Sequence, residues 1–271
     1  MKEGEETEMI DFSFPLEELE YFLLVLVRVS CFVFVAPFYS MNNTPRHVRI
    51  AISVFVAFLL YQGIEEHVYL QYSTLLEYAT LVLKEAVVGL LLGLGAEFCM
   101  MIVSFAGSIV DMEIGFSMAS QFDPMTRQQT TVTGFLYQYS FMLIFILTGM
   151  YRYLMLALAD TFVLIPLGQA QIMLEYMFDS FVGFLGDYMV MGFRLCLPVF
   201  CTILLLNGIL GVMAKVSPQM NMFSVGIQLK VLTGLSILFL TVGILPTAAD
   251  FVFEGMKVIM VTFVEALGGS V

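Results

Sequence analysis

Charged side chains interrupt the apolar runs of this chain at positions a lipid-facing span would not tolerate. Arg28 lies inside LEYFLLVLVRVSCFVFVAPF, and Lys84, Glu85 and Glu97 punctuate TLVLKEAVVGLLLGLGAEFCMM. Arg152, Arg194 and Lys230 each break another apolar stretch. A charge at a bilayer centre costs about 2.5–3.5 kcal/mol on insertion scales. Such charges persist near an interface, in pairs, or facing protein or a wet cavity. The chain therefore reads as membrane-inserted, and as built to pack into something larger or to line a path.

Of the 271 residues, 60% are hydrophobic, and the mean hydropathy of +0.93 excludes a soluble globular domain. The apolar runs fall at roughly 19–38, 48–62, 75–106, 135–165, 189–213 and 225–264. About 20 helical residues cross a hydrocarbon core of about 30 Å. The expected fold is an all-α membrane protein of about six hydrophobic helical segments with no soluble domain. Residues 1–18 form an acidic N-terminal tail and 19–265 a single helical domain. The second run is short enough to be re-entrant, and two others are long enough to tilt, kink or project. The first 20 residues carry eight acids and one lysine, the reverse of a signal peptide's basic start, so the first span is expected to insert by itself.

Several function classes fall away. No basic patch is present to neutralise phosphates, which argues against nucleic acid. Cys31, Cys99, Cys196 and Cys201 sit in apolar runs as small hydrophobes, and no CxxC or His-Cys spacing suggests a metal. His47 and His67 lie in connecting segments, so no histidine relay crosses the membrane. No nucleotide-binding loop appears. No cofactor is expected, and no enzymatic activity.

Lys and Arg near span ends set orientation. Arg46, Arg49 and Lys215 place the first, third and fifth connections inside, and both termini outside. The third connection fits poorly, with Asp111, Glu113 and Asp123 against Arg127 alone. Each inner connection carries a small polar residue before proline (Thr44-Pro45, Asp123-Pro124, Ser217-Pro218), a pattern that starts helices sharply. Gly89 and Gly93, four apart in GLLLG, suit a close helix crossing that Gly95 and Ala96 extend. The acids at 175 and 179 would repel anionic headgroups, so that helix is expected to be re-entrant or to face protein.

The segment GSIVDMEIGFSMASQFDP (107–124) alternates Val110, Met112, Ile114, Phe116 and Met118 with Asp111, Glu113, Gly115, Ser117 and Ala119. A period of two favours an extended chain, with Gly107 and Gly115 allowing bends. An extended chain cannot face lipid. Two readings stand: a constriction or plug, or an ordinary connection touching headgroups.

The stretch 191–235 carries Arg194, Leu197, Pro198, Asn207, Gly211, Pro218, Gln219, Asn221, Phe223, Gly226, Lys230 and Gly234. IGFSMASQFDP (114–124), with Asp123 and Pro124, and GMYRYLMLALADTFVLIPLG (149–168) extend the pattern. Arg28, Pro37, Pro45, Arg49, Glu85, Gly89 and Gly93 continue it more loosely. On these positions the chain resembles the FliR family of flagellar export-gate proteins, homologous to the T subunit of injectisome export apparatuses. Departures are Gln228 for Pro, Lys215 for Arg, the acids Asp111 and Glu113, and the acidic tail.

The resemblance implies bent helical hairpins lifted partly out of the bilayer plane. It also implies a type III secretion export-gate subunit in the bacterial inner membrane at the flagellar basal body. The implied partners are P and Q subunits and a B-type switch protein, with exported flagellar polypeptides as substrates. Gly107, Val110, Met112, Ile114, Gly115, Phe116, Met118 and Phe122 would form the pore plug. Arg28, Lys84, Glu85, Arg152, Arg194 and Lys230 would hold structural ion pairs. The alternative is a secondary transporter using Glu85, Glu97 or Asp111. An intramembrane hydrolase would need a nucleophile beside His or paired Asp, which the spans lack.

Overall fold

Backbone groups inside a bilayer must be satisfied within the segment, which makes runs this apolar helical. The computed structural model describes residues 16–40, 44–64, 72, 74–116, 131–171, 174–219 and 221–268, and among them there is no strand. The helices are α1 (Leu16–Val35), α2 (Arg46–Gly63), α3 (Leu75–Ile114), α4 (Val132–Leu147), α5 (Met150–Leu164), α6 (Leu174–Val216), α7 (Met222–Thr241) and α8 (Leu245–Ala266). A 3₁₀ turn, Val242–Ile244, joins the last two. α1 is already helical at Leu16, inside the stretch assigned to the acidic tail.

All six predicted runs are helical, but two are divided. The fourth is α4 and α5, bent by 69° where Gly149 takes a left-handed φ of 74°. The sixth is α7, the 3₁₀ turn and α8, with Pro246 in the first turn of α8. Leu75–Ile114, Phe181–Val216 and Phe223–Ala266 are long and apolar enough to cross a membrane, and the bent pair is a fourth candidate. α1 carries Glu18, Glu20 and Arg28, and α2 opens on Arg46 and Arg49. With 40 and 43 residues, α3 and α6 reach about 60 Å at ~1.5 Å per residue, about twice the hydrocarbon thickness.

α3 is the core. It carries apolar residues around its circumference, and α1, α4, α6 and α8 pack against it, leaving Leu83, Leu90 and Met101 exposed. Its small residues set the distances. A Cβ on Gly89 would fall 2.1 Å from the carbonyl oxygen of Arg28, and one on Gly93 would fall 3.1 Å from that of Phe32. The GLLLG crossing expected from sequence is thus the α1–α3 contact. Gly95 faces elsewhere, against the ring of Phe263 on α8.

The extended reading of 107–116 is overturned. α3 runs on as helix to Ile114 and ends at Gly115, whose φ of 95° forms a left-handed cap with its N–H donating to the Asp111 carbonyl at 3.1 Å. The reason is tertiary. Val103, Ala106, Gly107, Val110 and Ile114 recur at spacings of three and four, and all are buried. Gly107 makes no bend: it meets Gly134 of α4, whose Cα a Cβ at 107 would approach to 2.3 Å.

The polar-proline starts also differ. α2 begins directly after Pro45 with no side-chain cap. Ser217-Pro218 lies in the turn after α6, and α7 is capped four residues past Ser217 by Asn221, which accepts from the Ser224 N–H at 3.4 Å. Proline cannot extend α6, so a later polar residue has to start the next helix. Asp123-Pro124 lies outside the described residues.

Candidate functional site: a buried ionic node and an uncovered hairpin

Arg28 is fully buried, as is Glu85. A buried guanidinium is tolerable only when an opposite charge and enough acceptors replace its water. Here the arginine Nε donates to Glu85 Oε2 at 2.6 Å. Nη1 donates to the Thr161 carbonyl at 3.0 Å and the Ile165 carbonyl at 3.1 Å, and Nη2 donates to Ile165 at 3.0 Å. The ring of Phe162 lies under the guanidinium, 4.4 Å away. The other oxygen of Glu85 accepts from the Gly168 N–H at 2.8 Å.

The local sequence explains the ligands. Pro166 stops α5, and a helix end leaves carbonyls without intrahelical donors and with partial negative charge. Arg28 from α1 takes up that charge. Gly168, at a φ of 77°, turns its N–H back to α3. One node therefore ties α1, α3 and the end of α5. It gathers Arg28, Glu85 and the Ile165-Pro166-Leu167-Gly168 run, which stand far apart in sequence. Thr161, Phe162, Ile165 and Gly168 carry no charge that singles them out in the sequence; the signal for them is a helix stopped by proline, whose free carbonyls can meet a cation from another run.

The other cations named for ion pairs have no ion-pair partner within this chain's described residues. Among the described residues no carboxylate lies within ion-pair distance of Lys84, Arg152, Arg194 or Lys230. Lys84 Nζ donates to the Gly168 carbonyl at 3.4 Å. Arg152 is exposed and donates to the Tyr151 hydroxyl at 3.0 Å. Arg194 is exposed above Phe251, 5.5 Å from the ring centre. Lys230 is half-buried on α7.

A second polar contact holds the end of α3. Both carboxylate oxygens of Asp111 accept from the Thr133 N–H at 3.1 Å, capping α4 from another helix. Asp111, a departure from the family pattern, is buried within this chain. The predicted plug residues separate in the same way. Val110 and Ile114 are fully buried, and Ile114 fills the space over Gly234, where a Cβ would fall 2.5 Å from its Cδ1. They are core residues because α4 and α7 cover that face. Met112 is exposed, and Phe116 is half-buried beyond the cap. Met118 and Phe122 lie outside the described residues.

α6 and α7 leave long apolar faces uncovered. Leu204, Leu205, Ile209, Val212, Phe239 and Leu240 are all exposed, Leu205 by 68% and Phe239 by 78%. Pro198 lies inside α6, Asn207 is exposed on it, and Pro218 and Gln219 form the turn to α7. Among the described residues no cluster of His, Cys, Asp and Glu is arranged to hold a metal.

The family model for bacterial export proteins, family 1, matches residues 19–256. The chain is 30% identical to the flagellar biosynthetic protein FliR of Bacillus subtilis over 86% of its own length and 90% of that relative. It is 27% identical to FliR of Aquifex aeolicus, over 91% and 96% of the two chains. It is also 27% identical to the surface presentation of antigens protein SpaR of Shigella flexneri, over 85% and 90%. With the match running from within α1 well into α8, the chain belongs to the FliR-type bacterial export proteins, family 1.

Proposed function

We propose that this chain is a membrane subunit of a flagellar type III export gate, in the bacterial inner membrane at the basal body. It assembles with P and Q subunits and a B-type switch protein into a path for exported flagellar polypeptides. Its work is packing and gating, not catalysis. The observation that carries the reading is the uneven burial of its helices. The most apolar stretch of α3 is 56% buried within the chain, against 17% in α6 and 11% along α7–α8, which leave large apolar side chains uncovered. Helices about twice the bilayer thickness cannot hide all of that surface in hydrocarbon. Neighbouring proteins supply the missing cover.

The plug reading narrows to the end of 107–124. Val110, Asp111 and Ile114 are committed to the core, so the closed-pore role passes to Met112, Phe116 and the residues after them. The Asp111–Thr133 and Gly107–Gly134 contacts support this by fixing both flanks of that segment. The transporter reading loses two of its three carboxylates, Glu85 to Arg28 and Asp111 to α4, and keeps Glu97, half-buried on α3. The test is a deletion of 117–122 in cells carrying the whole apparatus. Assembly is expected to persist while the membrane becomes permeable to small ions. Unchanged conductance ends the plug role, and export of flagellar polypeptides from cells lacking this chain ends the gate role.

A further inference from the structure

Arg28 and Arg194 are both guanidinium groups set within apolar helices, and they differ in one respect. Arg28 has a carboxylate and three carbonyl bonds. Arg194, exposed near the middle of α6, has no ion-pair partner and no hydrogen bond among the described residues, and its guanidinium stands over the face of Phe251. It opens on a cleft of about 70 Å³ lined by Tyr137, Phe141, Pro198, Thr241, Ile244 and Leu245. Two helix irregularities meet at this cleft. Pro198 has no N–H for the carbonyl of Arg194, and the 3₁₀ turn Val242–Ile244 interrupts the opposite rod. Around it spreads the uncovered apolar surface of α6 to α8.

We propose that this cleft receives an aspartate or glutamate side chain from a helix of a neighbouring subunit, gripped by the Arg194 fork. The inference rests on reading the chain as an assembly subunit. Charge decides the occupant. A lone guanidinium walled by apolar and hydroxyl groups matches one carboxylate in its two-pronged geometry. The space suits the end of one side chain. A lipid phosphate would bring its headgroup with it and would ask for further donors that the lining does not supply.

The test uses the full membrane complex, recovered through a tag on this chain. The wild-type chain must bring its neighbours with it, and if it comes alone the assembly reading itself fails before any variant is made. Given recovery, Arg194→Glu is expected to lower neighbour yield tenfold or more at unchanged membrane abundance, with Arg194→Lys in between. Should Arg194→Glu not accumulate, Arg194→Gln carries the test with an expected loss of about fivefold. Selection for restored export in Arg194→Glu is expected to return an acid-to-Arg or acid-to-Lys change in a neighbouring subunit. Neighbour recovery at the wild-type level overturns the proposal. So do restoring changes confined to this chain, such as at Asp250. A third overturning result is loss in Arg194→Gln of a bound phosphatidylglycerol seen by native mass spectrometry, with subunit recovery unchanged.

Discussion

Gly89 lies directly against the backbone of Arg28, so that a Cβ at position 89 would fall 2.1 Å from the Arg28 carbonyl oxygen. The closest crossing of α1 and α3 is therefore also the place where their ion pair forms. Helix spacing and charge pairing are one adjustment. Gly89→Ala is expected to push α1 outward and lengthen Arg28–Glu85, at a cost of about 1–3 kcal/mol from overpacking before any loss in the pair. Gly63→Ala, which meets nothing within 4 Å, is the control and should change little. Thermal unfolding in detergent compares the two.

Removing one member of the node strands the other in a dry site. Arg28→Met and Glu85→Leu should each cost about 3–5 kcal/mol, and the double variant should cost less than the sum of the two. A double-mutant cycle on detergent-solubilised protein measures the coupling. Additive losses would show that the two charges do not act on one another.

Asp111→Ala leaves the buried Thr133 N–H without an acceptor and should cost about 1–2 kcal/mol. Asp111→Asn retains one acceptor oxygen and should cost less. Hydrogen exchange at the Thr133 amide is the direct readout: slow in the parent, faster in Asn, fastest in Ala.

The bend between α4 and α5 rests on a backbone conformation, not on space, since a Cβ on Gly149 would meet nothing within 4 Å. Gly149→Ala should cost about 1–2 kcal/mol through left-handed strain, and Gly149→Asn less, because asparagine visits that region more readily. Equal stabilities would place the origin of the bend elsewhere.

Much of the fold is legible in the sequence. Apolar runs marked every helix, GLLLG marked a real crossing, and Arg28 in a span announced a buried partner. Residues 107–116 show where local reading stops. Their alternation fits a strand, while Val103, Ala106, Val110 and Ile114 fit a helix equally well. The choice is made by Gly134 and Gly234, far away in the chain, which offer room for α3 to continue. The ion pairs divide similarly. A charge in an apolar run signals that something must meet it, but not whether the partner belongs to this chain, as for Arg28, or lies beyond it.

Arg28 is bound to groups 57, 133 and 137 residues further along the chain. During synthesis it leaves the ribosome long before any of them. Its countercharge Glu85 follows within the first third of the chain, but the carbonyls that complete its shell are made only when more than half of the protein exists. A product truncated before residue 161 would hold the ion pair with the rest of the guanidinium unmet, a polar end that the finished protein hides.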